Sequence, residues 1–67
     1  MAYGSMSRRH FEAFAAMLYR VRVLATSPTS REVIRVIEDD IMYLCEHENP
    51  SFDRERFTAR SGRDTLT

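Results

Sequence analysis

The chain has 67 residues, of which 43% are hydrophobic and 30% are charged, and its formal net charge is zero. A chain of this length builds one core that supplies about 3–5 kcal/mol, and it has no room for a nucleotide-binding α/β domain or a two-lobed enzyme. The hydrophobic content argues against wholesale disorder, and the neutral charge argues against a general nucleic-acid binder. A single cysteine excludes an internal disulfide framework and fits a reducing compartment.

The charges are distributed unevenly along the chain. Residues 1–30 carry four Arg and one Glu, residues 31–48 carry two Arg and six acids, and residues 49–67 carry four Arg and three acids. This basic–acidic–basic order lets the segments attract one another within one fold, and it could also drive head-to-tail self-association. All ten basic residues are Arg, which is typical of a GC-rich genome. Because no apolar run approaches the ~20 residues of a membrane span, we expect no membrane segment.

The first predicted helix covers residues 7–25, after a leader or tag remnant at residues 1–6 that we expect to be flexible. Ser7 is a suitable N-cap, and His10 at the edge of the apolar stripe is expected to pack partly buried. Tyr19 and Val23 fall on the far side of the helix and indicate a second, smaller contact surface. The main stripe follows helical spacing and consists of Phe11, Phe14, Met17, Leu18, Val21, Leu24 and Ala25.

The second predicted helix covers residues 30–47, because Pro28 cannot continue the first helix and Thr29 with Glu32 fits a capping box. Its apolar stripe spans roughly 200°, more than one packed neighbour needs. That stripe consists of Val33, Ile34, Ile37, Ile41, Leu44 and Cys45, flanked by Val36 and Tyr43. The opposite face is expected to be solvated and carries Arg31, Glu32, Arg35, Glu38, Asp39 and Glu46.

The third predicted helix is short and covers residues 53–61. Asp53 is the expected N-cap, and Phe52 and Phe57 have the spacing of a hydrophobic staple across it. Gly62 suits the position that ends the helix, and residues 63–67 are expected to fray. The sequence therefore predicts an all-α domain over residues 7–62, in which an antiparallel helical hairpin carries the third helix across its open end.

Two short patterns resemble those of small uncharacterised proteins encoded by phages of actinobacteria. The first is His10-Phe11 followed by alanines, and the second runs from Asn49-Pro50 through Phe52-Asp53-Arg54 to Arg56-Phe57. The resemblance spans roughly residues 9–62, although relatives usually have further alanines after Ala59 and fewer Ile and Val in the second helix. It implies a bacteriophage or prophage origin and a cytoplasmic setting in the bacterial host, and it supplies no catalytic residues.

Potential metal ligands and nucleophiles are few and badly spaced. Cys45 and His47 are two positions apart in a helix, so their side chains diverge by about 200° and do not reach one ion. Structural zinc normally takes four ligands in paired spacings, and a thiol in the apolar stripe is expected to be buried and inert. We therefore expect no enzyme activity, metal, cofactor or small-molecule substrate.

Two functions remain from the sequence. The first is a protein-interaction module that binds a host or phage protein or itself, as a homodimer or larger homo-oligomer. Its expected interface comprises Tyr19, Val23, Ile34, Ile37, Ile41, Tyr43 and Leu44. The alternative is a small DNA-binding regulator that contacts phosphate, or an acidic partner, through Arg8, Arg9, Arg54, Arg56 and Arg60. The acidic second helix counts against DNA, because it would repel the phosphate backbone.

Overall fold

The computed structural model describes residues 7–63 and residue 65. This part of the chain contains three helices and no strand: α1 (Arg8–Leu24), α2 (Pro28–Glu48) and α3 (Arg54–Ser61). The predicted all-α hairpin with a short third helix is confirmed. The predicted leader at residues 1–6 lies outside the described residues, as do three positions of the predicted tail, 64, 66 and 67.

Helix α1 begins after Ser7, as predicted, and its first turn is closed by His10. The backbone N–H of Ser7 donates to Nδ1 of His10 over 3.1 Å, in the manner of a capping box in which His replaces the usual Glu or Gln. His10 is exposed. The prediction of a partly buried packing histidine is therefore wrong, because the ring turns back to the helix terminus instead of towards the core.

Helix α2 begins two residues earlier than predicted. Ser27 is its N-cap, and the Ser27 hydroxyl accepts a hydrogen bond from the backbone N–H of Ser30 over 3.1 Å. Pro28 is the first helical residue, a position where its fixed φ suits the helix and its missing N–H costs nothing. The predicted capping box at Thr29 and Glu32 is therefore wrong, since the stronger signal is the serine that precedes the proline.

Helix α3 has the predicted ends. The Asp53 carboxylate accepts from the backbone N–H of Arg56 over 3.1 Å, and Gly62 ends the helix at φ 79°, in the left-handed region that favours glycine. The expected staple is present, because the rings of Phe52 and Phe57 lie 5.3 Å apart.

The core lies where α1 crosses α2 and α3. Its buried apolar residues are Ala15, Leu18, Ile34, Met42 and Phe57, with Phe11, Phe14, Ala25, Ile41 and Phe52 at its edge. Phe11 and Phe52 meet edge to face, with ring centroids 4.8 Å apart. Since these rings join the start of α1 to the segment before α3, they cover the open end of the hairpin, as the sequence predicts.

The buried face of α2 is rotated from the predicted stripe. Its buried residues are Ile34, Glu38, Met42 and Cys45, so Glu38 takes a core position although the sequence predicts it on the solvated face. Val33, Ile37 and Leu44 remain exposed. The rotation has a physical cause: Glu38 meets a buried cation on α1, which offsets the cost of removing a carboxylate from water.

Candidate interaction surfaces

Two exposed apolar stripes run along the hairpin, one on each long helix. Helix α1 supplies Met17, Val21 and Leu24, at helical spacings of four and three residues, and α2 supplies Val33, Ile37 and Leu44, at spacings of four and seven residues. Each of these side chains is at least 44% exposed, and Leu24 is 73% exposed. We call these six residues the outer face.

Both stripes lie on the side of the hairpin that faces away from α3. In α2, Glu38 contacts Ser61 of α3, and Ile37, one residue before it, points about 100° away from Glu38. In α1, Glu12 lies on the flank that borders the groove against α3, whereas Val21 lies on the opposite flank. The two stripes therefore lie on the same side of the hairpin.

The interface residues expected from the sequence fall in different places. Ile34 is buried in the core at 8% exposure, so its prediction as an interface residue is wrong, and Ile41 is half-buried beside it. Ile37 and Leu44 belong to the outer face. Tyr19, Val23 and Tyr43 are exposed but lie elsewhere: Tyr19 and Val23 on the other flank of α1, and Tyr43 on the back of α2, where its ring stacks on His47 at 6.0 Å.

The interface expected from the sequence does not include Met17, Val21, Leu24 or Val33, all of which are exposed in the structure. The sequence did indicate an exposed apolar surface on α2, since the apolar stripe of this helix is wider than one neighbouring helix can cover. In the structure, the inner part of that stripe packs against α1 and the outer part stays exposed.

A buried polar network joins the three helices at the centre of the molecule. Arg22 of α1 contacts the carboxylate of Glu38 on α2, and its Nη1 donates to the backbone carbonyl oxygen of Ser61 on α3 over 3.0 Å. The Ser61 hydroxyl lies 2.6 Å from the other Glu38 oxygen. All three residues are at most 3% exposed, and among the described residues no buried side-chain nitrogen or oxygen lacks a partner.

The sequence analysis did not predict this network, although the helical spacing of Arg22 and Glu38 indicates it. Arg22 follows Ala15 and Leu18 on the buried face of α1, and Glu38 lies between Ile34 and Met42 on the buried face of α2. Two opposite charges at inward positions of facing helices are the signal for a buried pair.

Helix α2 also forms ion pairs with Arg63, which follows α3. Nη1 of Arg63 lies 2.7 Å from the Asp39 carboxylate and 3.9 Å from that of Glu38. The hydrogen bond from Arg63 holds the pKa of the Asp39 carboxyl below its ordinary value. Arg63, which falls in the predicted tail, is therefore in contact with α2.

The five arginines expected to contact phosphate are all exposed, but they do not form one patch. Arg8, Arg56 and Arg60 line a groove of about 430 Å³ between α1, α3 and the loop that joins α2 to α3. Arg54 instead pairs with Glu46 of α2, with Nε 2.6 Å from the carboxylate, and Arg9 does not line the groove. Asp53, predicted as structural, caps α3 at the same groove.

The thiol of Cys45 is fully buried, as predicted. Burial raises the pKa of this thiol, and the charge of Glu46 raises it further, so the thiolate is disfavoured at neutral pH. Within residues 7–63 and 65, no cluster of three or more His, Cys, Asp or Glu side chains could hold a metal ion. None of the three helices is long and apolar enough to cross a membrane.

No family model, curated protein or solved structure matches the chain. The resemblance to proteins of actinobacterial phages therefore stays a prediction.

Proposed function

We propose that the protein is a small helical protein-interaction module and that the outer face is its interface. The observation that carries this proposal is the exposure of six large apolar side chains on one side of the hairpin. Removal of apolar area from water contributes about 25 cal/mol per Å², and this gain opposes the entropy cost of association. A small domain gains much from this, because its own core is limited.

The occupant that fits the outer face best is a second copy of the chain. Arg9 and Arg20 lie beside the α1 stripe, and Asp40 lies beside the α2 stripe, between Ile37 and Leu44 in the chain; all three charged residues are exposed. If two copies are related by a two-fold axis parallel to the helices, α1 of one protomer packs against α2 of its partner, and the same contact occurs a second time by symmetry. In each contact the basic flank of α1 lies opposite the acidic flank of α2, and the four helices form an antiparallel bundle.

The test is sedimentation equilibrium of the wild type and two matched variants. We expect the wild type to dimerise and Ile37→Glu to be monomeric, because a buried unpaired carboxylate opposes association. The control is Val23→Glu, at an exposed residue on the other flank of α1, which should leave the dimer intact. Circular dichroism should show unchanged helix content in both variants. A wild type that stays monomeric, or equal effects of the two substitutions, would refute the second copy as occupant.

We also propose a non-enzymatic accessory role in the cytoplasm of an actinobacterial host, in a protein of phage or prophage origin. The supporting observations are the two short sequence patterns and the exclusive use of Arg. In that role the same face would bind a host or phage protein when it is not occupied by a second copy. Capture of tagged protein from an actinobacterial lysate, with and without nuclease, tests this role: recovery of nuclease-sensitive material alone would favour DNA binding.

DNA binding is the less favoured function. Three arginines meet at one groove, but Arg54 is paired with Glu46 and the acidic α2 borders the same end of the molecule. A DNA binder would show affinity that falls steeply with added salt, whereas association through the apolar outer face should depend little on salt.

A further inference from the structure

We propose that the groove between α1 and α3 is a second binding site, separate from the outer face, for an acidic segment of a partner protein that carries an aromatic side chain. The groove has about 430 Å³ of space, enough for one or two side chains. Nothing in the proposed self-association uses it, because the outer face lies on the other side of the hairpin.

The floor of the groove is aromatic. Phe11, Phe52 and Phe57 line it, with Phe52 in ring contact with both others. Phe11 and Phe52 are only partly buried, so their rings present apolar surface to the opening. A further aromatic ring placed there would add edge-to-face or offset contacts.

The rims of the groove are cationic on both sides. Arg8 stands on the α1 rim, and Arg56 and Arg60 stand one turn apart on the α3 rim. None of the three forms an ion pair within 4 Å with a residue that the structure describes. Guanidinium groups on facing rims can bracket a carboxylate with paired hydrogen bonds, which fixes both its position and its orientation.

Two carboxylates at the groove favour a peptide over a nucleic acid. Glu12 lines the α1 rim, and Asp53 lines the loop side, where it is engaged in capping α3. The groove therefore carries only one positive charge in excess, too little for a strand with a charge at every phosphate. A short segment with one or two carboxylates and a ring matches both the charge and the apolar floor.

Hydrogen bonds within the loop between α2 and α3 also support the groove. The backbone N–H of Ser51 donates to Oδ1 of Asn49 over 2.9 Å, and that of Phe52 donates to the Asn49 carbonyl oxygen over 2.9 Å. These bonds fix the loop that carries Phe52. A site formed in advance loses less entropy when a ligand binds.

The experiment uses the full chain and an array of labelled peptides in which Glu or Asp is separated from Phe by every spacing from none to three residues. Matched arrays replace the acids by Gln and Asn, or Phe by Ala. We expect the best acidic–aromatic peptide to bind at least about tenfold more tightly than either matched peptide. Backbone amide shifts should change at Arg8, Phe11 and Arg56, and should stay unchanged on the outer face.

The matched protein variants are two double substitutions with equal loss of charge. Arg56→Gln with Arg60→Gln should weaken binding about tenfold, whereas Arg31→Gln with Arg35→Gln, at exposed sites outside the groove, should change it less than about twofold. Ile37→Glu should still bind the peptide, which separates this site from the dimer interface. Equal binding of acidic and amide peptides, or equal effects of the two double substitutions, would overturn the proposal. So would tighter binding of a single-stranded oligothymidine, lost on substitution of Arg56 and Arg60.

Discussion

Arg22 and Glu38 face each other from α1 and α2 with both side chains almost fully buried, at 2% and 0% exposure. A buried ion pair contributes little net stability when it is intact, but loss of one partner leaves a charge in a low-dielectric interior. Ser61 adds hydrogen bonds to both members. The pair therefore specifies how the three helices fit together more than it strengthens the fold.

Removal of one member of this pair should be far more damaging than removal of both. We expect Glu38→Leu or Arg22→Met alone to lower the free energy of unfolding by about 3–5 kcal/mol, and the double variant to recover most of that loss. Urea denaturation followed by circular dichroism measures all three. Glu46→Ala, which breaks the exposed pair with Arg54, is the control and should cost less than about 1 kcal/mol. Additive losses in the double variant would contradict the pairing.

Phe57 is the side chain on which the packing of α3 depends. It is 3% exposed, so Phe57→Ala should cost about 3–5 kcal/mol through lost burial and a residual cavity. A loss of that size approaches the stability of so small a domain, and we expect the variant to be largely unfolded in thermal denaturation. Phe52→Ala, at a half-buried site, should cost less. An unchanged melting temperature for Phe57→Ala would contradict a packed third helix.

Asp39 should make stability weakly dependent on pH at the acidic end. Its pKa is lowered in the folded state, first by the hydrogen bond from Arg63, so its contribution is present above the ordinary pKa of 3.8 and is lost as the pH falls through the folded value. The side chain is 56% exposed, which limits this contribution to about 0.2–1 kcal/mol. Carboxyl NMR titration should give a pKa that returns towards normal in Arg63→Gln. An identical pKa in that variant would contradict the assignment.

Cys45 should be unreactive while the protein is folded. Its thiol is buried and its pKa is raised, so we expect a disulfide reagent at pH 8 to label it only as fast as the chain opens. Because the unfolded chain releases the thiol proton first, stability should fall as the pH rises above about 8.5. Denatured protein is the control and should react at once. Immediate stoichiometric labelling of the folded chain would show that the thiol is accessible.

The sequence was sufficient for those features that depend on local chemistry. Asp53, Gly62 and the Phe52–Phe57 staple define α3 within a few residues, and Ser7 marks the start of α1. The choice of which face of α2 is buried was not predictable from local sequence. Hydrophobicity ranks Ile37 above Glu38 for burial, but the choice depends on Arg22, sixteen residues away in the chain, which no pattern within α2 contains.

The exposed surfaces were likewise only partly predictable, because they depend on contacts between residues that are distant in the chain. The excess width of the apolar stripe in α2 indicated that some of it would stay uncovered, but the exposed part could be named only once the position of α3 was known. For the arginines, the sequence grouped Arg54 with Arg56 and Arg60. The fold separates them, because Arg54 projects to Glu46 while the other two face Arg8 across the groove.

The central network takes one residue from each helix, and this has a consequence for how the chain folds. An isolated α1–α2 hairpin would bring Arg22 and Glu38 together but leave them without Ser61 and without the cover that α3 provides. The isolated hairpin would also lose Phe57 from its core, so we expect it to be less stable than the three-helix structure. We therefore expect the three helices to unfold together, in one cooperative transition.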